Sequence, residues 1–114
     1  MTSGKIVLIP FPFDDLSGTR VRLALCLTEP IGPHRHIVVA FITSRVQPTT
    51  LDTDVPIRPQ DADFGQTGLR VPSTICLHRL MTIAGSTVLR ELGALSDSRL
   101  AEIRLRLRRL FQLT

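Results

Sequence analysis

Several kinds of residue and segment are scarce in this chain. Tryptophan and tyrosine are absent from its 114 residues, and Lys5 is the only lysine. No apolar run approaches the roughly 20 residues that a membrane-spanning helix needs. No positively charged segment precedes an apolar one at the start, as it would in a secretory signal. The sequence therefore predicts a cytoplasmic protein without a membrane role.

Motifs for metals and common cofactors are also missing. The chain has no Cys-x-x-Cys or His-x-x-x-His pair, no P-loop and no Gly-x-Gly-x-x-Gly, so neither zinc, ATP nor a dinucleotide has support. The one local histidine cluster, His34-Arg35-His36, lies in a Gly/Pro turn and favours a solvated hairpin, because structural zinc needs four ligands. We expect no metal and no cofactor.

The two cysteines are predicted to be reduced core residues. Cys26 and Cys76 each lie inside a strand-like apolar run. A thiol in such a run usually behaves as a small hydrophobic group. A disulfide between them stays open as an alternative, although a pair in a domain without a secretory signal is more often reduced.

Positive charge comes almost wholly from arginine. The net charge is +4 and the isoelectric point is near 10.4. The planar guanidinium donates two parallel hydrogen bonds to one anion, so an arginine excess suits phosphate and indicates a nucleic-acid partner. The alternative is a solubilising surface, above all for the arginines of the C-terminal segment.

The apolar pattern predicts one domain, residues 1–114, that is mainly β. Pro56 would push the fourth predicted strand toward a sheet edge, and residues 58–68 hold enough Gly, Pro, Asp and Gln to predict a loop. On the second strand, a period of two puts Arg22 on the face opposite Leu23. The predicted strands are Lys5–Ile9, Val21–Thr28, His36–Thr43, Thr53–Ile57 and Ser73–Thr82.

Two helices are predicted near the C-terminus. The first spans Ser86–Leu92 and is closed by Gly93. The second begins at the N-cap Ser96, and its apolar residues recur at helical spacing. This order of elements predicts a small curved antiparallel sheet, or partly open barrel, with the C-terminal helix packed across it. The apolar positions of the second helix are Leu100, Ile103, Leu107 and Leu110, and its polar face carries Arg99, Arg104, Arg106, Arg108 and Arg109.

The stretch 5–43 also resembles a known family. Its run IPFPFDDLSGTRVRLALCLTE is similar to the N-terminal half of the MazF/PemK toxin endoribonucleases, with a strand, a Pro/Phe loop, a Ser-Gly turn and an arginine at the head of the second strand. Ile42-Thr43-Ser44, GLRVPSTICLHRLMTI and ELGALSDSRLAEI resemble later motifs of that family in the same order. The resemblance implies a compact barrel of the MazF/CcdB type that works as a homodimer.

The resemblance further implies a function. Members of the family cut single-stranded RNA, often mRNA, at a short sequence without a metal. They leave a 2′,3′-cyclic phosphate and a 5′-hydroxyl, and so arrest growth. A cognate antitoxin, whose disordered acidic segment occupies the RNA groove, is implied as a partner.

Arg22 and Thr43 match the catalytic positions of the family. If the second and third strands pair, both residues come within reach of one phosphate. A guanidinium rarely gives up its proton, so Arg22 is not expected to act as the base. It is expected to stabilise charge, and a role as proton donor stays open. Leu23 departs from the family signature, which has proline there; this leaves open whether activity is weaker.

Other residues are expected to contact RNA. Loop phenylalanines can stack on an unpaired base, serines can donate to phosphate and arginines can pair with it. A general-acid role is also open to His78, because imidazole titrates near neutrality, although an outward-facing strand residue is the simpler interpretation. The predicted RNA-binding residues are Phe13, Ser17, Arg20, Ser44, Arg70 and His78.

Two rival functions follow from the same fold. The related CcdB toxins share the barrel but poison DNA gyrase through protein contacts made by the terminal helix. A generic RNA-binding barrel that has lost cleavage is the second rival. Arg22 and Thr43 argue against the gyrase poison, whereas Leu23 leaves that rival open.

Overall fold

The computed structural model describes residues 1–11, 20–45 and 51–113. Strands dominate this part of the chain, and one long helix closes it. The strands are β1 (Lys5–Phe11), β2 (Arg20–Cys26), β3 (His36–Thr43), β4 (Asp54–Ile57), β5 (Ser73–Ala84) and β6 (Arg90–Ala94); the helices are α1 (Phe64–Thr67) and α2 (Asp97–Leu110).

All six strands belong to one antiparallel sheet, in the order β4-β5-β3-β2-β1-β6. The sheet curls into a half-barrel, which confirms the predicted fold class. Strand β4 lies at one edge, as Pro56 predicted, since proline cannot donate to a second neighbouring strand. A shift of register between Ala40 and Phe41 marks a bulge where β3 pairs with β5.

Alternation along β2 divides the apolar side chains between the two faces of the sheet. Leu25 is fully buried in a large core that also contains Leu100 and Ile103 of α2. Ala24 and Cys26 point the other way, into a smaller cluster. The helix therefore covers one face of the sheet, and Arg22 belongs to the opposite face.

Helix α2 begins as predicted. The Ser96 hydroxyl accepts a hydrogen bond from the Arg99 amide at 3.2 Å and so satisfies one of the amides that a helix start leaves unpaired. For two of the helix arginines, the alternative of a purely solubilising surface does not hold, because they bind other parts of the chain. Arg99 binds Asp61 and Asp63, and Arg106 binds backbone carbonyls next to β4.

The predicted helix at Ser86–Leu92 is wrong. Residues Gly85–Thr87 form a single 3₁₀ turn, and the chain then enters β6, which pairs with β1. The open edge of β1 needs a partner for its backbone groups, and pairing with it outweighs the weak helix propensity of so short a segment.

The predicted loop at residues 58–68 contains the short helix α1. It ends at Gly68, whose φ of 76° is left-handed, and a β-carbon there would overlap the backbone of Leu92. A β-carbon at Gly93 would likewise overlap the backbone of Gln66 and Thr67. Glycines on both sides therefore let α1 pack on β6. The side chain of Phe64, the first residue of α1, packs against the main core.

Both cysteines are buried and unpaired, which confirms the prediction of reduced core thiols. Burial raises the pKa of the Cys26 thiol to about 11, so it stays protonated at neutral pH. Within the described ranges, no helix is both long enough and apolar enough to cross a membrane.

Candidate active site

Arg22 and Thr43 lie at neighbouring ends of two paired strands. In the antiparallel pair β2–β3, Leu23 faces Ile42 and Ala24 faces Phe41. Continuing this register by one residue puts Arg22 opposite Thr43. The predicted pairing of these strands is therefore confirmed, and it brings both candidate catalytic residues to one end of the sheet.

A cavity of about 730 Å³ opens on this face. Arg22 and Thr43 both line it, as do Arg20 from the start of β2 and Ser44 and Arg45 from the residues after β3. Strands β4 and β5 supply its other wall, with Asp54, Cys76, His78 and Arg79.

The described lining of the cavity is strongly cationic. Four arginines contribute to it, against a single carboxylate, Asp54. That carboxylate is only 4% exposed and accepts a hydrogen bond from the Leu51 amide at 3.1 Å, so it also holds the turn that leads into β4. The excess of guanidinium groups suits a polyanion, because each can donate a fork of hydrogen bonds to phosphate oxygens.

The hydroxyl of Thr43 is oriented by the backbone. Its oxygen accepts a hydrogen bond from the Arg45 amide at 3.1 Å. A threonine hydroxyl has one proton to donate and two lone pairs to accept. With one lone pair occupied by Arg45, the proton remains for an anionic oxygen in the cavity.

His78 is held by a second hydroxyl. Its ring Nδ1 lies 3.0 Å from Oγ1 of Thr53, and the Thr53 carbonyl accepts from the Leu77 amide at 2.9 Å. Backbone and side chain of Thr53 thus fix two consecutive residues of β5. The imidazole keeps Nε2 for a ligand in the cavity.

An aromatic ring also lines the cavity. Phe41 is partly buried, and the Arg79 guanidinium carbon lies 5.6 Å from its ring centroid, within the range of a cation–π contact. The guanidinium is thereby held over the ring at the cavity wall.

The structure brings five of the predicted site residues together: Arg20, Arg22, Thr43, Ser44 and His78 all line the cavity. Arg70 is exposed in the segment between α1 and β5 and does not line it. Phe13 and Ser17 lie outside the described residues.

Sequence reasoning missed Arg45, Asp54 and Phe41. Arg45 follows Thr43 by two residues, a spacing that puts two side chains on the same face of an extended segment. This spacing could have indicated Arg45. Asp54 alternates with Val55 in the short run DVPI and is paired in register with Cys76, which only the sheet topology reveals. Phe41 looked like an ordinary core residue of a β run. Among the residues the structure describes, no three His, Cys, Asp or Glu side chains group so as to hold a metal ion.

Leu23 lies where the resembled signature has proline. In the structure it pairs with Leu8 of β1 and Ile42 of β3 and packs against the main core. Strands on both sides therefore hold the backbone next to Arg22. A proline is not required to fix this position.

A curled antiparallel sheet, covered by a helix on one face and carrying an arginine-lined cavity on the other, defines a small β protein with a cationic cavity. Residues 2–111 match the family described as PemK-like, MazF-like toxin of type II toxin-antitoxin system. The chain belongs to this family.

Solved structures share the fold. A Mycobacterium tuberculosis toxin, MazF-mt6, matches with a TM-score of 0.70 and 23% identity over 95% of this chain and 96% of its own. MazE-MazF from Deinococcus radiodurans matches with a TM-score of 0.76 and 17% identity, over 100% of this chain and 97% of that one.

A third structure is an endoribonuclease in complex with its cognate antitoxin from a mycobacterial species. It matches with a TM-score of 0.68 and 16% identity, over 100% of this chain and 97% of that one. At these identities the likeness shows the fold. Among curated protein sequences, none matches the chain.

Proposed function

We propose that this toxin is a metal-independent endoribonuclease that cuts single-stranded RNA, with mRNA as its target, at a short sequence. The observation that carries the proposal is the position of Arg22 opposite Thr43 in a cavity lined by four arginines. Cleavage leaves a 2′,3′-cyclic phosphate and a 5′-hydroxyl and arrests growth. Family membership supports the reaction class.

The substrate provides its own nucleophile. The 2′-hydroxyl of RNA attacks the adjacent phosphorus, so the protein must stabilise charge on the phosphorane and assist the proton transfers. DNA lacks this hydroxyl and is spared.

Arg22 supplies charge stabilisation. Its guanidinium donates to the non-bridging oxygens, where negative charge grows as the phosphorane forms. Thr43 donates its hydroxyl proton to the same phosphate, since its oxygen is already oriented by the Arg45 amide. Ser44 is placed beside it as a second donor.

The remaining contacts bind the strand of RNA on either side of the cut. Arg20 lines the cavity and is assigned to a neighbouring phosphate or base, and His78 lines it as a further RNA contact. Phe13, Ser17 and Arg70 are proposed as outer contacts. These contacts define the cleavage sequence, because catalysis at the phosphate is the same for every base.

A cognate antitoxin is the proposed protein partner, and a homodimer the proposed active form, in the cytoplasm. Two of the similar structures are toxin–antitoxin complexes by their descriptions. An acidic antitoxin segment suits the arginines of the cavity by charge. Binding there would block RNA directly.

The decisive experiment incubates the purified protein with a long single-stranded RNA in excess EDTA and maps cut positions and end groups. Arg22→Ala is compared with Arg104→Ala, a matched substitution on the exposed side of α2. We expect discrete cuts with 5′-hydroxyl ends from the wild type and from Arg104→Ala. Arg22→Ala should lose about 10²- to 10³-fold in rate, as expected when a donor to the developing charge is removed.

Other outcomes would contradict the proposal. Cleavage that needs a metal would contradict the metal-independent reaction. Cleavage that survives in Arg22→Ala would remove Arg22 from the chemistry. Absence of cleavage on several RNAs, with retained RNA binding, would indicate a binding barrel. Inhibition of DNA gyrase without cleavage would indicate the CcdB-like function.

A further inference from the structure

Among the described residues that line the cavity, one side chain is suited to protonate a leaving group. After the phosphorane forms, the bond from phosphorus to the 5′-oxygen must break, and an alkoxide leaves slowly unless it receives a proton. Guanidinium groups hold their protons too tightly for efficient transfer. Burial raises the pKa of the Cys76 thiol as well, so it too is a poor proton donor at neutral pH.

Imidazole differs because it changes charge between pH 5 and 8. Among the described residues that line the cavity, His78 is the one histidine. We propose that His78 is the general acid of the reaction and that Thr53 is its positioning residue. This inference rests on the proposed ribonuclease function and deepens it.

The contact with Thr53 determines which nitrogen donates. In the imidazolium, Nδ1–H donates to the Thr53 hydroxyl oxygen across 3.0 Å, and Nε2–H is directed to the substrate. When Nε2 gives up its proton, the neutral ring keeps Nδ1–H and the same hydrogen bond. Thr53 therefore holds the orientation of the ring, with Nε2 on the side of the substrate, before and after transfer.

Thr53 is itself anchored from two sides. Its carbonyl accepts from the Leu77 amide at 2.9 Å. The Arg106 guanidinium donates to the carbonyl of Asp52 at 2.7 Å and to that of Asp54 at 3.2 Å, on either side of Thr53. The hydroxyl that orients His78 is thus fixed by β5 and by α2.

The proposed step conserves bonds and protons. The 2′-oxygen bonds to phosphorus and its proton passes to water. The bond between phosphorus and the 5′-oxygen breaks with its electron pair on oxygen, and that oxygen takes the proton of His78 Nε2. The imidazole then regains a proton from water, so the enzyme returns to its starting state.

A general acid must carry its proton when the leaving group departs. Cleavage of the oxygen substrate should therefore show a descending alkaline limb in its pH profile.

The test uses a short RNA that spans a mapped cut site, made with either oxygen or sulfur as the 5′ leaving atom. A thiolate leaves without protonation, so loss of a general acid matters only for oxygen. We expect His78→Gln to lower kcat about 10²- to 10⁴-fold on the oxygen substrate. On the sulfur substrate, kcat of His78→Gln should stay within a few-fold of wild type. On the oxygen substrate, the residual activity of His78→Gln should lack the alkaline limb.

Two further comparisons separate positioning from folding. His34→Gln, the same substitution in the remote hairpin, should behave as wild type. Thr53→Val should lower kcat on the oxygen substrate about 10-fold, near the cost of one hydrogen bond, and Thr53→Ser should restore it. Circular dichroism of each variant should match wild type, because His78 is exposed and Thr53 only partly buried.

Each other result is decisive. Equal losses on the oxygen and sulfur substrates, or a rise in KM alone, would make His78 a phosphate-binding residue and overturn the inference. Wild-type activity in His78→Gln would overturn it too. If the wild type cuts neither substrate, the ribonuclease proposal fails instead.

Discussion

Arg106 of α2 donates a hydrogen bond to the backbone carbonyl of Asp52, with 2.7 Å between the two atoms. A second hydrogen bond from the same guanidinium reaches the Asp54 carbonyl at 3.2 Å, and Glu102 one turn earlier pairs with Arg106 at 3.2 Å. The helix that covers the core face of the sheet thus also fixes the start of β4. That segment forms part of the wall of the cavity on the opposite face.

Replacing Arg106 by glutamine should therefore destabilise the fold. The change removes two charge-assisted hydrogen bonds and leaves the two carbonyls with a shorter, neutral donor. We expect the free energy of unfolding to fall by about 1–3 kcal/mol, measured by denaturant titration. Arg108→Gln, on the exposed side of the same helix, is the control and should change it by less than about 0.5 kcal/mol. Equal effects of the two substitutions would contradict this role.

Ion pairs of Arg99 join α2 to the segment before α1. Arg99 lies 2.9 Å from an Asp61 oxygen and 3.2 Å from an Asp63 oxygen, and Asp63 also accepts from the Ser96 hydroxyl at 2.8 Å. Hydrogen bonds from Arg99 and Ser96 hold the pKa of the Asp63 carboxyl below its usual value. The side chains of Asp63 and Arg99 are only 16% and 18% exposed, so solvent screens the pair incompletely.

This lowered pKa predicts how stability depends on pH. Because the folded state favours the ionised carboxylate, the stabilisation is complete above the ordinary aspartate pKa of about 3.9. It is lost as pH falls through the lower folded value. In Asp63→Asn the free energy of unfolding should fall less between about pH 5 and pH 3 than in wild type. It should also be lower at pH 7 by about 1–3 kcal/mol.

Denaturant unfolding at a series of pH values measures this difference. Asp52→Asn, which changes an exposed carboxylate, should leave the curve within about 0.5 kcal/mol of wild type. Parallel curves for wild type and Asp63→Asn down to pH 3 would mean that another group carries the acid sensitivity.

The features that the sequence predicted correctly were local ones. Strand β3 is a continuous apolar run, and the apolar residues of helix α2 recur at helical spacing after the N-cap Ser96. The type and position of both elements therefore follow from neighbouring residues alone. The pairing of β2 with β3, and with it the meeting of Arg22 and Thr43, followed from a short connection between adjacent strands.

The features that it did not predict depend on distant residues. Strand β6 exists because β1, more than 80 residues earlier, offers an open edge to pair with. Likewise, Asp54 enters the cavity through its register with Cys76, and Arg99 leaves the solvent because Asp61 and Asp63 approach it from another loop. Neither contact can be predicted from the residues that neighbour Asp54 or Arg99 in the sequence.

The hydroxyl of Thr43 offers the most selective test of the proposed chemistry. Its oxygen accepts a hydrogen bond from the Arg45 amide, and in the proposed mechanism its proton is donated to the phosphate. Valine removes this donor while keeping the shape and β-branching. Thr43→Val should lower kcat for RNA cleavage by roughly 10- to 10³-fold, the range expected for one donor to a developing negative charge. Thr43→Ser keeps the hydroxyl and should stay within about tenfold of wild type.

Binding of a non-cleavable RNA, with the attacking 2′-hydroxyl replaced by hydrogen, provides the control. If Thr43 acts on the transition state, the valine variant should bind this RNA nearly as well as wild type. A loss of binding equal to the loss of kcat/KM would show that the hydroxyl contributes equally to ground state and transition state. In that case Thr43 would be a binding residue, and Arg22 alone would carry the charge stabilisation.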